Sequence, residues 1–143
     1  MSVEQNKAVV RRLVEEVINK GNIGLFDELV ASNLVDHALP PGFPPGAQGV
    51  KQFFGLLRAA FPDFHYTIED MIGEGDYVAQ RLTSQGTMKG EFMGMKPSGK
   101  HAVWSSVDCM RLKDGKIVEY WGIDDQLGML QQLGFAPAPG QSR

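Results

Sequence analysis

The spacing of apolar residues divides the chain into two regimes. Over the first sixty residues they recur at helical intervals: Val10, Leu13, Val14, Val17 and Ile18 share one face of a helix spanning 3–20. Ser2 and Gln5 fit a capping box at its start, and Gly21-Asn22 stops it. A shorter helix is predicted over 23–32, with Leu25, Phe26, Leu29 and Val30 inward. The segment from Asp36 to Gly49 holds four prolines and three glycines and reads as a loop, with Leu39 and Phe43 packed over the body. Val50, Phe53, Phe54 and Leu57 mark a third helix that ends near Ala60-Phe61-Pro62-Asp63.

Beyond Pro62 the period changes to two. Phe64, Tyr66 and Ile68 alternate in a strand over 64–72, and Gly73-Glu74-Gly75-Asp76 turns the chain. Further strands are predicted over 77–88, 100–112 and 117–123, then a short helix from Asp125 to Leu133 and a loose tail over 135–143. Helices first and antiparallel strands afterwards is the α+β pattern. Residues 1–134 are expected to form one domain.

Asp114-Gly115 is a strong two-residue hairpin signal, since both residues tolerate positive φ. Counting outward from it pairs Leu112 with Ile117, Met110 with Glu119, Asp108 with Trp121, Ser106 with Ile123 and Trp104 with Asp125. Those partners would share one face, and Val103, Val107, Cys109, Val118 and Tyr120 the other. Both faces are then apolar. One is expected to cover the helices and a pocket, the other to pack on a second copy as a homodimer.

Composition narrows the classes. The 143 residues are 43% hydrophobic and 22% charged, as in an ordinary globular chain. A net charge of −3 argues against nucleic acid or anionic membrane as a partner. No apolar run approaches a membrane span, the N-terminus lacks signal-peptide character, and Cys109 has no cysteine to pair with. The cytoplasm is the expected compartment.

Several segments, in this order, resemble the SnoaL-like polyketide cyclase family. They include Val35-Asp36-His37, Ala60-Phe61-Pro62-Asp63, Gly86-Thr87, Gly90-Glu91-Phe92-Met93-Gly94, Pro97-Ser98-Gly99-Lys100, Asp114 to Glu119, Trp121 with Asp125, and Gln132-Leu133-Gly134. The resemblance covers residues 3–134. It implies a cone shared with nuclear transport factor 2 and ketosteroid isomerase: a curved antiparallel sheet of four to six strands around a helix and a deep apolar cavity. It also implies ring closure by intramolecular aldol chemistry, without metal or organic cofactor. Asp125, four residues after the strand tryptophan, matches the position of the acid/base residue. Met88 stands where family members commonly have histidine, which makes that wall more apolar.

Asp125 as a base would need a pKa raised by the apolar walls of Trp104 and Trp121, yet it also sits where an aspartate caps a helix. His37, at the mouth of the proline-rich loop, is the candidate assisting donor, or else a partly exposed loop residue. Asp108 is a second carboxylate on the expected pocket face, catalytic or satisfied by a buried partner. Trp104, Trp121, Phe54 and Met88 would line the cavity around a hydrophobic small molecule. Two rival functions keep the same cavity: a non-catalytic binding module, and activation of water on an epoxide by Asp108 with Asp125. Gly94 to His101 nearly spells a phosphate-binding loop, but His101 replaces the required hydroxyl and no helix follows. No two histidines have ligand spacing for a metal.

Overall fold

A computed structural model describes residues 1–137 and 140; the rest of the expected tail lies outside the described residues. Helix α1 (Val3–Arg12) opens with the capping box expected of it: the Ser2 hydroxyl accepts from the Gln5 amide, and the Gln5 side chain returns to the Ser2 N–H. The helix does not stop at Arg12. It widens into a π-helical segment, Leu13–Asn19, whose Leu13, Val14, Val17 and Ile18 are buried.

After a short 3₁₀ turn, α2 (Phe26–Leu29) covers only one turn, and the chain extends into β1 (Val30–Asp36). The helix predicted over 23–32 is therefore cut short. Val30 and Val35 are β-branched, and pairing with a later strand outweighs the local helical pattern. Helix α3 spans Ala47–Ala60. Four strands then follow close to their expected bounds: β2 (His65–Glu74), β3 (Tyr77–Thr87), β4 (His101–Lys113) and β5 (Lys116–Asp124). Helix α4 (Gln126–Leu133) closes the fold.

The strands form one curled, unclosed sheet in the order β1-β5-β4-β3-β2. It is antiparallel except for β1, which runs parallel to β5. Its inner face packs on α1, the π-helical segment and α3 through Val10, Val17, Leu57, Val78, Met110 and Ile117, all buried. Asp63 ties the end of α3 to the end of β3 by accepting from the Thr87 amide at 2.7 Å and the Thr87 hydroxyl at 2.8 Å. Those two hydrogen bonds join the Ala60–Asp63 and Gly86-Thr87 segments. The amide of Thr87 holds the Asp63 carboxyl below its usual range.

The hairpin turn forms as expected, with Asp114 and Gly115 both at positive φ and Lys113 opposite Lys116. The register holds for one more pair, Leu112 with Ile117, and then slips. Val118 is an extra residue on β5, so Arg111 lies opposite Glu119, Met110 opposite Tyr120, Cys109 opposite Trp121 and Asp108 opposite Gly122. A bulge of one residue exchanges the faces of everything beyond it. Tyr120, Gly122 and Asp124 therefore point inward with Met110, Asp108 and Ser106, while Trp121 and Ile123 point outward. The expected pairings of Asp108 with Trp121 and of Trp104 with Asp125 do not form.

Candidate active site

The inner faces of β3, β4 and β5, the π-helical segment, α3 and the loop after β1 enclose a cavity of about 210 Å³. Leu13, Val14, Ile18, Phe53, Phe54 and Leu82 make apolar walls, and Ala38, Leu39 and Pro40 reach its rim from the loop. The polar lining is concentrated on the sheet and the end of β1: Asp36, Tyr66, Gln80, Ser106, Asp108, Tyr120 and Asp124. No lysine, arginine or histidine lines the cavity among the described residues.

Asp108 sits at the centre of this arrangement. It is 7% exposed, midway along β4, with Gln80 opposite on β3 and Gly122 opposite on β5. The Tyr120 hydroxyl donates to Asp108 Oδ2 at 3.1 Å. Asp108 Oδ1 and Gln80 Oε1 are buried acceptors with no donor. An ionised carboxylate in that state is costly, so burial pushes the Asp108 carboxyl up to about 7. The Gln80 amide and Tyr120 hydroxyl pull it back, and the charge of Asp36 pushes it further. A proton on Asp108, or a donor group from a ligand, would relieve the bare oxygen.

Two further carboxyls flank it. Asp36, at the end of β1, is raised by burial and drawn down by the amides of Ala38 and Leu39; its Oδ1 accepts from Ala38 at 2.8 Å. Asp124, at the open end of the cavity, is also raised by burial, with the Trp104 indole N–H opposing. Tyr66 and Tyr120 lie deep against the sheet, and burial followed by the charge of Asp108 raises both, so they stay protonated. They keep partial accessibility because they face the cavity rather than the protein interior.

The residues picked out by sequence fall into three places. Asp108 and Phe54 line the cavity. Trp104 and Met88 are buried in the core: Trp104 packs between Phe61 and Phe64, and Met88 is fully enclosed. Trp121, His37 and Asp125 lie outside it. Trp121 stacks on His37 at 5.0 Å on the outer face, and His37 Nε2 meets Glu119 Oε2 at 2.7 Å. That hydrogen bond, helped by Arg111, holds the Glu119 carboxyl below its usual range. Asp125 is the N-cap of α4, its Oδ1 accepting from the Gly128 amide at 2.9 Å.

Sequence reasoning passed over Tyr120, Gln80 and Asp124. Two signals bore on them. Ile117 and Val118 are adjacent apolar residues in an alternating strand, which is how a bulge reads. Gly122 interrupts a strand, which marks a bulge or a close approach of other atoms.

A curled sheet around a helix, with an acid-lined apolar cavity, defines a cone fold built to hold a small molecule. Residues 8–133 match the family model described as SnoaL-like polyketide cyclase, and the chain belongs to that family and is an enzyme of its cyclase type. It is 31% identical over 118 residues to the nogalonic acid methyl ester cyclase of Streptomyces nogalater, covering 81% of this chain and 88% of the relative. It is 30% identical over 133 residues to the aklanonic acid methyl ester cyclase DauD of Streptomyces sp. (strain C5), covering 88% and 80%. Among solved structures, IdmH of Streptomyces antibioticus superposes with a TM-score of 0.79 at 35% identity, covering 91% of this chain and 99% of that one. TsrD of Streptomyces laurentii shares the fold more closely, with a TM-score of 0.87, at 21% identity and 95% and 99% coverage.

Proposed function

We propose that the cavity closes a ring in a small hydrophobic polyketide ester by cofactor-independent acid/base chemistry, with Asp108 as the group that exchanges protons. The observation that carries this reading is the state of Asp108. It is buried at the cavity floor, fixed at one oxygen by Tyr120, bare at the other, and poised near neutrality. A group whose pKa lies near the working pH holds both protonation states and loses least in each transfer.

In the aldol step, ionised Asp108 takes a proton α to a carbonyl. The resulting enolate carbon attacks a second carbonyl of the same molecule, forming the ring C–C bond. The alkoxide left behind takes that proton back from the carboxylic acid of Asp108, which returns to its ionised form. The product is an isomer of the substrate, and no co-reactant is consumed. The apolar walls strengthen the interactions that steer the enolate, and the protonated Tyr66 supplies a hydroxyl at the wall. Asp125, which sequence reasoning placed in the base role, is read here as a cap, and His37 as part of the outer face.

The names of the two Streptomyces relatives support a methyl ester substrate, and nogalonic acid methyl ester is the natural first probe. The parent protein is expected to convert it to a cyclised product of unchanged mass that incorporates no oxygen from labelled water. Asp108→Asn is expected to lower that rate by about 100-fold or more. Equal rates for the two proteins would overturn the assignment of Asp108.

The outer sheet face supports assembly as a homodimer. Val103, Val107 and Ile123 stand exposed there beside Trp121, a concentration of apolar surface that a second copy would cover.

A further inference from the structure

Asp108 can serve as a base only if its carboxyl is held in place at the cavity, and what holds it lies on the neighbouring strand. Tyr120 is two residues from Gly122 along β5, and both point inward. A Cβ placed on Gly122 would stand 2.6 Å from the Tyr120 hydroxyl oxygen, 2.9 Å from its Cε1 and 3.0 Å from its Cζ. Real side chains do not approach so closely. The phenol thus leans across the space that a side chain at 122 would fill, and from there its hydroxyl reaches Asp108 Oδ2 at 3.1 Å.

Nothing in the backbone calls for glycine at this position. Gly122 is not among the residues with positive φ, and a strand glycine weakens its strand. Its effect is one of space. We infer that Gly122 is a positioning residue: by lacking a side chain it lets Tyr120 hold Asp108 Oδ2 and so fixes the carboxyl that exchanges protons with the substrate. The Gln80 amide, opposite on β3, also favours the charged carboxyl, while the Tyr120 hydroxyl makes the defined bond to Oδ2. The π-helical segment and α3 present only apolar groups to the cavity. The titratable groups around Asp108 are Asp36 from β1, Tyr66 from β2, and Tyr120 and Asp124 from β5. Of these, only Tyr120 bonds to it.

The inference rests on the reading of Asp108 as the proton-exchanging group, but it is tested by a difference that does not need a substrate. Carbon-13 NMR of the aspartate carboxyl signals is followed across pH in the parent, Gly122→Ala, Tyr120→Phe and the double variant, with Asp108→Asn for assignment. A donor lost from a carboxylate weakens its charged form. Each single variant is therefore expected to raise the Asp108 midpoint by about one pH unit, and the double variant no further than either alone. An unmoved midpoint in Gly122→Ala overturns the inference, whatever the activity of Asp108. Should Gly122→Ala fail to fold, Tyr120→Phe adds no atom and reads the same hydrogen bond; an unmoved midpoint there overturns it equally. A parent midpoint at or below about 4 would count against Asp108 as the base, while the displacement between parent and variants still decides the role of Gly122.

Discussion

Asp108 and Asp125 are the same side chain in opposite situations. Asp125 is exposed and caps α4, its Oδ1 accepting from the Gly128 amide. Asp108 is buried, meets one phenol hydroxyl and keeps an unpartnered oxygen. The consequence for stability has a definite sign. With a folded pKa near 7, above its unfolded value, Asp108 binds a proton more tightly folded than unfolded. Its charged form opposes folding, so no cost falls below about pH 4, and stability declines as pH rises from about 4 to about 7. Asp108→Asn removes the titration. It is expected to gain stability relative to the parent at pH 8 but much less at pH 5, by up to about 4 kcal/mol at the higher pH. Urea unfolding of both proteins at the two pH values measures this; a variant equally destabilised at both would contradict it. A mutation that abolishes turnover while stabilising the fold is the expected signature of a strained acid/base group.

At the scale of elements, one inserted residue decides what the site contains. Asp114-Gly115 made the hairpin legible, and the alternating pattern made β4 legible along its length: Trp104, Asp108 and Met110 are on the inner face as counted. What the pattern did not carry was Val118, because a bulge leaves composition and strand length almost unchanged. From Val118 onward every face assignment on β5 reversed, which put Tyr120 and Asp124 in the cavity and Trp121 outside. Strand β1 was missed for a different reason. Its pairing partner is some ninety residues away in sequence, and local spacing cannot report it. The cap of α4 was read as one of two roles for Asp125, and the geometry supplies its hydrogen bond. Asp125→Asn is expected to be nearly neutral in thermal unfolding, since asparagine caps as well as aspartate, whereas Asp125→Ala costs about 1 kcal/mol. A loss of stability for Asn as large as for Ala would contradict the capping role.

For the molecule as a whole, the sheet separates two kinds of surface. The inner face and the helices enclose the cavity; the outer face carries Ile123 at 82% and Val107 at 55% exposure, next to the stack of His37 on Trp121. No described helix is long and apolar enough to cross a membrane. With that apolar surface exposed, we expect a second copy to cover the outer face and the parent to sediment at micromolar concentration with twice the chain mass. Replacing Val103 on the outer face by arginine is expected to shift the protein toward monomer with its cavity intact. A parent that sediments as a monomer would contradict this arrangement without touching the chemistry inside. The apolar cavity walls were also legible, since Leu13, Val14, Ile18 and Phe54 follow from helical spacing alone. Its polar floor was not, because it is assembled from one residue each of β1, β2 and β3 and two each of β4 and β5, and the β5 pair faces it only because of the bulge.

All of these strands converge on the protonation state of a single carboxyl group. The measurement that reaches it most directly is the titration of Asp108 by carbon-13 NMR, assigned by loss of its signal in Asp108→Asn. The expected midpoint is near 7, in a protein that remains folded throughout the titration. A midpoint at or below about 4 would mean a solvated or well-paired carboxylate, and would contradict Asp108 as the group on which the chemistry turns.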